Sequence, residues 1–250
     1  MEKTIKINGL NIRYQIFGED PSPRHGGVLI LHGWGSKSDR WRTTAKLLSG
    51  RGYEVIIPDL PGFGQSDNPQ RIWDLNDYSN FINEFTENLD LNEFYLLGHS
   101  FGGSIAIVHS LNYSEKVKRM FLVGAAAIRS ETVKKKTTYG LTKIFKFLGY
   151  LPFVKKFFYK FIIKSDYPIT KGIMREIYLK TIKEDLSDKL ESVSVPTLII
   201  WGEKDDITPL KNAYEINSKI KGSKLEIIPQ IGHNLHSEVP GKLSDIIAKE

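Results

Sequence analysis

The sequence contains no cysteine and no apolar run long enough to cross a membrane. The lack of cysteine excludes disulfide bonds, thiolate catalysis and cysteine-based metal sites, and it is typical of a reducing compartment. A membrane-spanning helix needs about 20 consecutive apolar residues, and no stretch here approaches that length. Residues 1–6 also lack the apolar core of a signal peptide. From these absences we expect a cytoplasmic protein.

The sequence also lacks the features of a nucleic-acid-binding protein. Its net charge is +6, but residues 129–189 contain fifteen Lys or Arg and only six Asp or Glu, so the rest of the chain is slightly acidic. No recognition helix, RNA-binding aromatic motif or zinc-finger spacing accompanies the basic segment. We therefore expect no nucleic-acid partner.

Strand-like and helix-like segments alternate along most of the 250 residues. Alternating apolar and polar residues on both sides of Asn8-Gly9 predict a β-hairpin over 3–17. Apolar runs typical of buried strands follow at 28–31, 54–57, 94–97, 120–123, 197–201 and 225–228. Helical patterns separate them, at about 38–49, 76–89, after Ser104, after Pro209 and at about 239–248. This alternation predicts a mostly parallel sheet covered by helices on both faces.

Residues 128–190 interrupt that alternation. They predict several short helices rich in Lys, Phe and Tyr, broken by Gly149, Pro152 and Pro168. We therefore predict a core domain formed by residues 1–127 and 191–250, with a helical insertion at 128–190.

A candidate nucleophile lies between a predicted strand and a predicted helix. Gly98-His99-Ser100-Phe101-Gly102 is a Gly-x-Ser-x-Gly sequence, which in this context forces the serine onto a sharp turn with its hydroxyl exposed. A Cβ at either glycine would collide, because the strand and helix backbones approach closely there. A serine hydroxyl is a poor nucleophile at neutral pH, so it needs a base and a carboxylate that orients the base.

Candidates for both partners follow the last two predicted strands. His233 comes directly after strand 225–228, and Asp205 and Asp206 come shortly after strand 197–201. The carboxyl ends of parallel strands meet at one edge of a sheet, so these side chains share that edge with Ser100. Three other histidines fit less well, in a loop before a strand, beside the serine and within the following helix: His25, His99 and His109.

Five motifs in consistent order resemble those of the α/β-hydrolase fold family over nearly the whole chain. They are His-Gly-x-x at 32–35, Asp-x-x-Gly-x-Gly-x-Ser at 59–66, Gly-His-Ser-x-Gly-Gly at 98–103, Trp-Gly-x-x-Asp-x-x-x-Pro at 201–209 and Gly-His-x-x-x-x-Glu-x-Pro at 232–240. The resemblance implies the α/β-hydrolase fold, with a mostly parallel central sheet flanked by helices. It also implies that residues 128–190 are a helical cap that covers the site.

The resemblance further implies a catalytic triad. Ser100 would be the nucleophile, His233 the base and Asp205 the orienting carboxylate, since the Trp-Gly-x-x-Asp spacing favours Asp205 over Asp206.

The resemblance also implies an oxyanion hole and its support. The hole would be formed by the backbone N–H groups of Trp34 and Phe101, whose side chains would wall the pocket. Structural support would come from His32, Gly33, Gly98, His99 and Gly102. His233 and His236 have a spacing that could bind a metal, but no third ligand is evident, so we expect no metal and no cofactor.

By resemblance the chain is a serine hydrolase, in first place a carboxylesterase for esters of small to medium apolar acyl groups. Two alternatives stay open: a hydrolase of C–C bonds in ring-cleavage products with the same triad, and a low-turnover ligand-binding protein. Haloalkane and epoxide hydrolases have an aspartate where Ser100 stands. The sequence indicates neither the natural substrate nor the oligomeric state.

The cap sequence suggests an apolar pocket roof and a basic surface. The roof would be formed by Phe145, Phe147, Phe153, Phe157, Phe158, Tyr159 and Phe161, although packing of the cap onto the core is the better explanation for most of them. Its lysines are typical of a solvated face: Lys134, Lys135, Lys136, Lys155, Lys156 and Lys160. The alternative is weak peripheral attraction to anionic membrane surfaces or to acidic amphiphilic substrates.

Overall fold

The computed structural model describes residues 1–18, 25–129 and 171–250, and in them eight strands form one sheet. The strands are β1 (Glu2–Ile7), β2 (Leu10–Phe17), β3 (Gly27–Leu31), β4 (Glu54–Pro58), β5 (Phe94–His99), β6 (Val117–Val123), β7 (Thr197–Gly202) and β8 (Lys224–Ile228). Their order is β1-β2-β4-β3-β5-β6-β7-β8. Only β2 pairs antiparallel with its neighbours, β1 and β4, and the other pairs within the described residues are parallel. The predicted mostly parallel sheet is confirmed.

Seven α-helices lie in the described residues. They are α1 (Arg42–Ser49), α2 (Leu75–Glu87), α3 (Phe101–Asn112), α4 (Gly172–Thr181), α5 (Leu210–Lys219), α6 (Leu235–Glu238) and α7 (Pro240–Ala248). The helix predicted at 38–49 begins as a 3-10 turn, Ser38–Trp41, and becomes α-helical at Arg42. In the part of the chain that is described, no helix is long and apolar enough to cross a membrane.

The sheet is buried on both faces, which explains why its central strands are apolar throughout. In β3, Leu29 and Leu31 point into a hydrophobic cluster shared with α2 and α3, while Val28 and Ile30 point into a second cluster shared with α1 and α7. Successive strand residues face opposite sides, so a strand covered on both faces reads as a continuous apolar run.

The strand register sets the carboxyl ends of the central strands nearly level. Leu31 of β3 pairs with Gly98 of β5, which pairs with Leu122 of β6. At the far side, Gly202 of β7 pairs with Ile228 of β8. The loops that follow these strands therefore emerge at one edge of the sheet.

The proposed cap, 128–190, falls mostly outside the described residues, and so do the aromatic residues and lysines on which its apolar roof and its basic surface depend. Its final part is described. Met174 and Ile177 of α4 are buried in the same cluster as the α2 and α3 side of the sheet. The Tyr178 ring lies 5.0 Å from that of Trp34, so α4 packs directly onto the loop after β3.

Candidate active site

Ser100 occupies the turn between β5 and α3 in a conformation that L-residues rarely adopt. Its φ is 53° and its ψ is −116°. Four hydrogen bonds hold this turn. Ser100 N donates to the Val123 carbonyl at 3.1 Å, and the Ser100 carbonyl accepts from Gly103 N at 2.9 Å, Ala126 N at 3.0 Å and Ser104 N at 3.3 Å. Strained dihedrals of this kind persist where the surroundings over-determine them, commonly at functional sites.

Two glycines let the backbones meet at this turn. A Cβ added to Gly98 would lie 2.4 Å from the Gly102 carbonyl oxygen, and a Cβ added to Gly102 would lie 2.2 Å from the Leu31 carbonyl oxygen. Real Cβ atoms essentially never approach a backbone oxygen so closely. The start of α3 is therefore packed against the end of β3, as the Gly-x-Ser-x-Gly spacing predicts.

The buried Asp205 and the half-buried His233 form a hydrogen-bonded pair. His233 Nδ1 lies 2.7 Å from Asp205 Oδ2. A carboxylate only accepts, so Nδ1 carries the proton and Nε2 is left as an acceptor. Burial by itself raises the pKa of Asp205, but hydrogen bonds from His233 and Thr208 outweigh it and hold that pKa below its usual range. The carboxylate thus stays charged beside the imidazole.

Thr208, which was not among the predicted site residues, also binds this pair. Its hydroxyl donates to Asp205 Oδ2 at 2.7 Å and lies 3.2 Å from His233 Nδ1. The other carboxylate oxygen, Oδ1, accepts from Ile207 N at 2.9 Å and Thr208 N at 2.8 Å. An aspartate that accepts from amides two and three residues on is an Asx-turn, so the sequence Asp-x-x-Thr-Pro carried a usable signal.

The loop that carries Trp34 lies against Ser100. A Cβ added to Gly33 would lie 3.2 Å from Ser100 Cβ, so the backbone of this loop passes directly beside the serine. Within the described residues, neither the Trp34 nor the Phe101 backbone N–H donates to a partner. The Phe101 amide also belongs to the first turn of α3, where unpaired N–H groups and the helix dipole favour negative charge. Two donors are thus available beside the serine.

Aromatic rings pack against one another in this region. The ring of Trp34 lies 4.9 Å from that of Phe63, 5.1 Å from that of Phe101 and 5.0 Å from that of Tyr178. The first two contacts are edge-to-face, a favourable arrangement for aromatic pairs. Trp34 and Phe101, which adjoin the Ser100 turn, thus belong to one aromatic cluster, and α4 contributes Tyr178 to it.

His32 joins two loops at the same edge of the sheet. Its Nδ1 donates to the Gly33 carbonyl at 2.8 Å, and its Nε2 accepts from Leu60 N at 3.0 Å. This pattern fixes a neutral ring, and complete burial lowers the pKa of His32 to about 4. His32 thus ties the loop after β3 to the loop after β4 and transfers no proton in this arrangement.

Asp59, at the start of the loop after β4, is fully buried and paired with Arg13. Arg13 donates to Asp59 Oδ2 at 3.1 Å, Gln65 N donates to the same oxygen at 2.9 Å, and Ser38 N donates to Oδ1 at 2.7 Å. Arg13 was not among the predicted site residues, because its place in β2 matches a polar, solvent-facing position. In the structure Asp39 also binds this guanidinium and covers it.

The buried histidines predict acid sensitivity of the fold. Burial lowers the pKa of His32, His109 and His236 to about 4, from 6.5 in an exposed ring. Between these values the unfolded chain binds more protons, so the free energy of unfolding falls as the pH drops from 6.5 to 4, by about 3 kcal/mol per histidine. Melting followed by circular dichroism at pH 7.5, 5.5 and 4.5 should show a steadily decreasing Tm, and a constant Tm would contradict these assignments.

Comparison with known proteins agrees with this architecture. A sequence model described as alpha/beta hydrolase fold matches residues 27–169 and 151–240. The chain is 25% identical to an esterase from Exiguobacterium antarcticum, with a TM-score of 0.76 and 100% of both chains covered. It is also 25% identical to a meta-cleavage product hydrolase from Pseudomonas fluorescens, with a TM-score of 0.75 over 99% of this chain and 96% of the other.

A hydrolase from Escherichia coli is also similar to this chain. It is named 2-hydroxy-6-oxononadienedioate/2-hydroxy-6-oxononatrienedioate hydrolase and is 25% identical over 82% of this chain and 80% of its own length.

Proposed function

The chain belongs to the alpha/beta hydrolase fold family, and from this premise we propose that it is a serine hydrolase that cleaves carboxylic esters of small to medium apolar acyl groups. The observation that carries the proposal is the hydrogen bond between His233 Nδ1 and Asp205 Oδ2, 2.7 Å long, at the same sheet edge as the strained Ser100 turn. Esterases are among the structures that this chain resembles, as the enzyme from Exiguobacterium antarcticum illustrates.

The proposed reaction proceeds through an acyl-serine. Ser100 Oγ attacks the ester carbonyl carbon while His233 Nε2 takes the hydroxyl proton, and Asp205 stabilises the resulting imidazolium. The proton then passes to the alcohol oxygen as the C–O bond breaks. Water attacks the acyl carbon next, giving a proton to His233, which returns it to Ser100 Oγ as the acid leaves.

The oxyanion of each tetrahedral intermediate would be bound by the N–H groups of Trp34 and Phe101. Their lack of partners within the described residues supports this role, since donors that are already oriented need no rearrangement when the charge develops. Loss of one such donor costs about 10²- to 10³-fold in kcat in serine hydrolases.

The aromatic rings beside Ser100 support an apolar acyl group. Trp34, Phe63, Phe101 and Tyr178 form edge-to-face and tilted contacts with one another, and an acyl chain placed against them would be removed from water. Each buried methylene contributes about 0.8 kcal/mol. Close packing of the rings on one another argues for a short chain rather than a long one.

A second candidate is hydrolysis of a C–C bond in a ring-cleavage product. The similarity to the Pseudomonas fluorescens structure, named a meta-cleavage product hydrolase, and to the Escherichia coli hydrolase favours it. Both are as similar to this chain in sequence identity as the esterase, at 25%. The same serine, histidine and aspartate would serve it.

A substrate panel separates the two candidates. We expect p-nitrophenyl acetate and butyrate to give the highest kcat/KM, with at least a tenfold decline by the palmitate ester. A ring-cleavage dienol-ketone, followed by loss of its visible absorbance, should turn over more slowly than every short ester. Faster turnover of the dienol-ketone would replace the esterase assignment with the C–C hydrolase.

A further inference from the structure

A cluster of aromatic nitrogen heterocycles lies behind His233. We call His99, His236 and Trp41 the histidine cluster. The His99 ring centre is 4.7 Å from that of His233 and 5.0 Å from that of His236, and Trp41 stacks on His236 at 4.6 Å with an interplanar angle of 15°. All three members of the cluster are buried.

One member of the cluster holds the backbone of the proposed base. His99 Nε2 lies 3.0 Å from the His233 carbonyl oxygen, and because a carbonyl only accepts, Nε2 carries the proton. Burial holds the pKa of His99 well below the usual value, so the ring is neutral and its Nδ1 carries no proton. The bond joins two segments that are 134 residues apart in sequence.

Burial of the histidine cluster leaves three polar atoms without hydrogen-bond partners. Among the described residues, Trp41 Nε1, His99 Nδ1 and His236 Nδ1 are buried without a hydrogen-bond partner. Each such group costs about 1–3 kcal/mol relative to a paired one, and apolar residues of the same size would avoid that cost.

His99 also lies against the loop that carries the proposed oxyanion hole. A Cβ added to Gly33 would lie 3.1 Å from His99 Nδ1, so the ring packs closely against the backbone of this loop. On its other side, the His233 loop is held by Glu238, which accepts from Gly232 N at 3.1 Å and Asn234 N at 3.2 Å. His99 is the inner support of this loop and Glu238 the outer one.

From these contacts we propose that His99 is a positioning residue that sets the distance between Ser100 Oγ and His233 Nε2. It directly precedes the nucleophile in sequence and binds the carbonyl of the base, so one side chain links both segments. This inference rests on the proposed serine-hydrolase function. It assigns His99 no proton transfer and no contact with substrate.

Two near-isosteric variants test the hydrogen bond itself. In His99→Gln the side-chain amide nitrogen can occupy the place of Nε2 and still donate to the His233 carbonyl. In His99→Asn the amide nitrogen corresponds to Nδ1 and cannot reach it. We expect His99→Asn to lower kcat on p-nitrophenyl butyrate by about 10²-fold with KM within about threefold, since small misplacement of reacting groups has effects of that size. The kcat of His99→Gln should be at least tenfold higher than that of His99→Asn.

His109 offers a matched control on α3. It too is fully buried, its Nδ1 donates to the Ser79 carbonyl at 3.2 Å, and its Nε2 has no partner among the described residues. His109→Leu should leave kcat within about twofold of the wild type, whereas His99→Asn lowers it about 10²-fold. A structural role alone would make the two histidines equivalent in kcat.

The experiment distinguishes failure of the His99 positioning role from failure of the proposed serine-hydrolase function. All rates are divided by the concentration of sites titrated with a fluorophosphonate, so misfolded protein does not count. If the wild type is neither labelled nor active, the proposed function fails. If the wild type is active and His99→Asn and His99→Gln have equal kcat, or His109→Leu loses as much kcat as His99→Asn, the positioning role is overturned.

Discussion

Replacement of Ser100 by alanine is expected to lower turnover of short p-nitrophenyl esters by about 10⁴-fold or more. Without Oγ there is no atom to form the acyl-enzyme, and any remaining rate comes from binding and from the oxyanion donors alone. The Ser100 side chain caps no amide of α3, so its removal should leave the fold unchanged. Steady-state kinetics beside a melting curve measures both effects.

Ser104 on the same helix provides the control. Its hydroxyl donates to the Ala126 carbonyl at 2.8 Å, so Ser104→Ala loses a real hydrogen bond, of about 1 kcal/mol, without touching the proposed nucleophile. We expect a lower Tm and full turnover from Ser104→Ala, the reverse of the pattern for Ser100→Ala. Retention of more than about one hundredth of the wild-type rate by Ser100→Ala would show that another group attacks the ester.

Replacement of Gly102 by alanine is expected to have the largest effect on stability. The added Cβ would lie 2.2 Å from the Leu31 carbonyl oxygen, 2.6 Å from the Leu31 carbonyl carbon and 2.8 Å from the His32 carbonyl oxygen. All three are backbone atoms at the end of β3 or just after it, so no side-chain rotation relieves the clash. A cost of about 3 kcal/mol or more corresponds to a decrease in Tm of roughly 10 °C, measurable by differential scanning calorimetry.

Gly241 is the matched control for this substitution. It lies in α7, and a Cβ added there has no atom within 4 Å. Alanine at this helical position should raise the free energy of unfolding by about 0.5–1 kcal/mol, because alanine loses less backbone entropy than glycine on folding. If Gly102→Ala unfolds at the same temperature as the wild type, the close contact between α3 and β3 is wrong.

The sheet could be predicted from the sequence because its signals are local. Asn8 and Gly9 both adopt positive φ, 48° and 83°, as the turn dipeptide between two alternating runs requires. Each central strand is a short apolar run, because both faces of the sheet are covered. The four-residue helix α6 was not predicted, since it is too short to show helical periodicity.

Most residues of the candidate site could be predicted from the sequence, but not all of their contacts. Ser100, Asp205 and His233 were singled out because each follows a strand end and falls within a motif, and the structure brings Asp205 and His233 into contact. Their roles stay predictions. The contact between His99 and His233 was not foreseen, because it depends on how two loops pack across 134 residues of sequence, and a buried histidine beside a serine has no pattern of its own.

At Arg13 the sequence pattern predicts the wrong environment. Arg13 and Gln15 occupy alternate positions of β2, which is typical of a solvent-facing row. In the structure both are buried under Ser38 and Asp39, and Arg13 bridges to the buried Asp59. Periodicity detects alternation, but it does not show whether a second polar layer covers the row.

The most direct test of the central claim is covalent labelling of the wild-type protein with a fluorophosphonate, followed by intact-mass and peptide mass spectrometry. A serine activated by His233 and Asp205 should form one phosphonyl adduct per chain within minutes, located on the peptide that contains Ser100 and absent from Ser100→Ala. Folded wild-type protein that stays unlabelled for hours would contradict the serine-hydrolase assignment and favour a ligand-binding protein on the same fold.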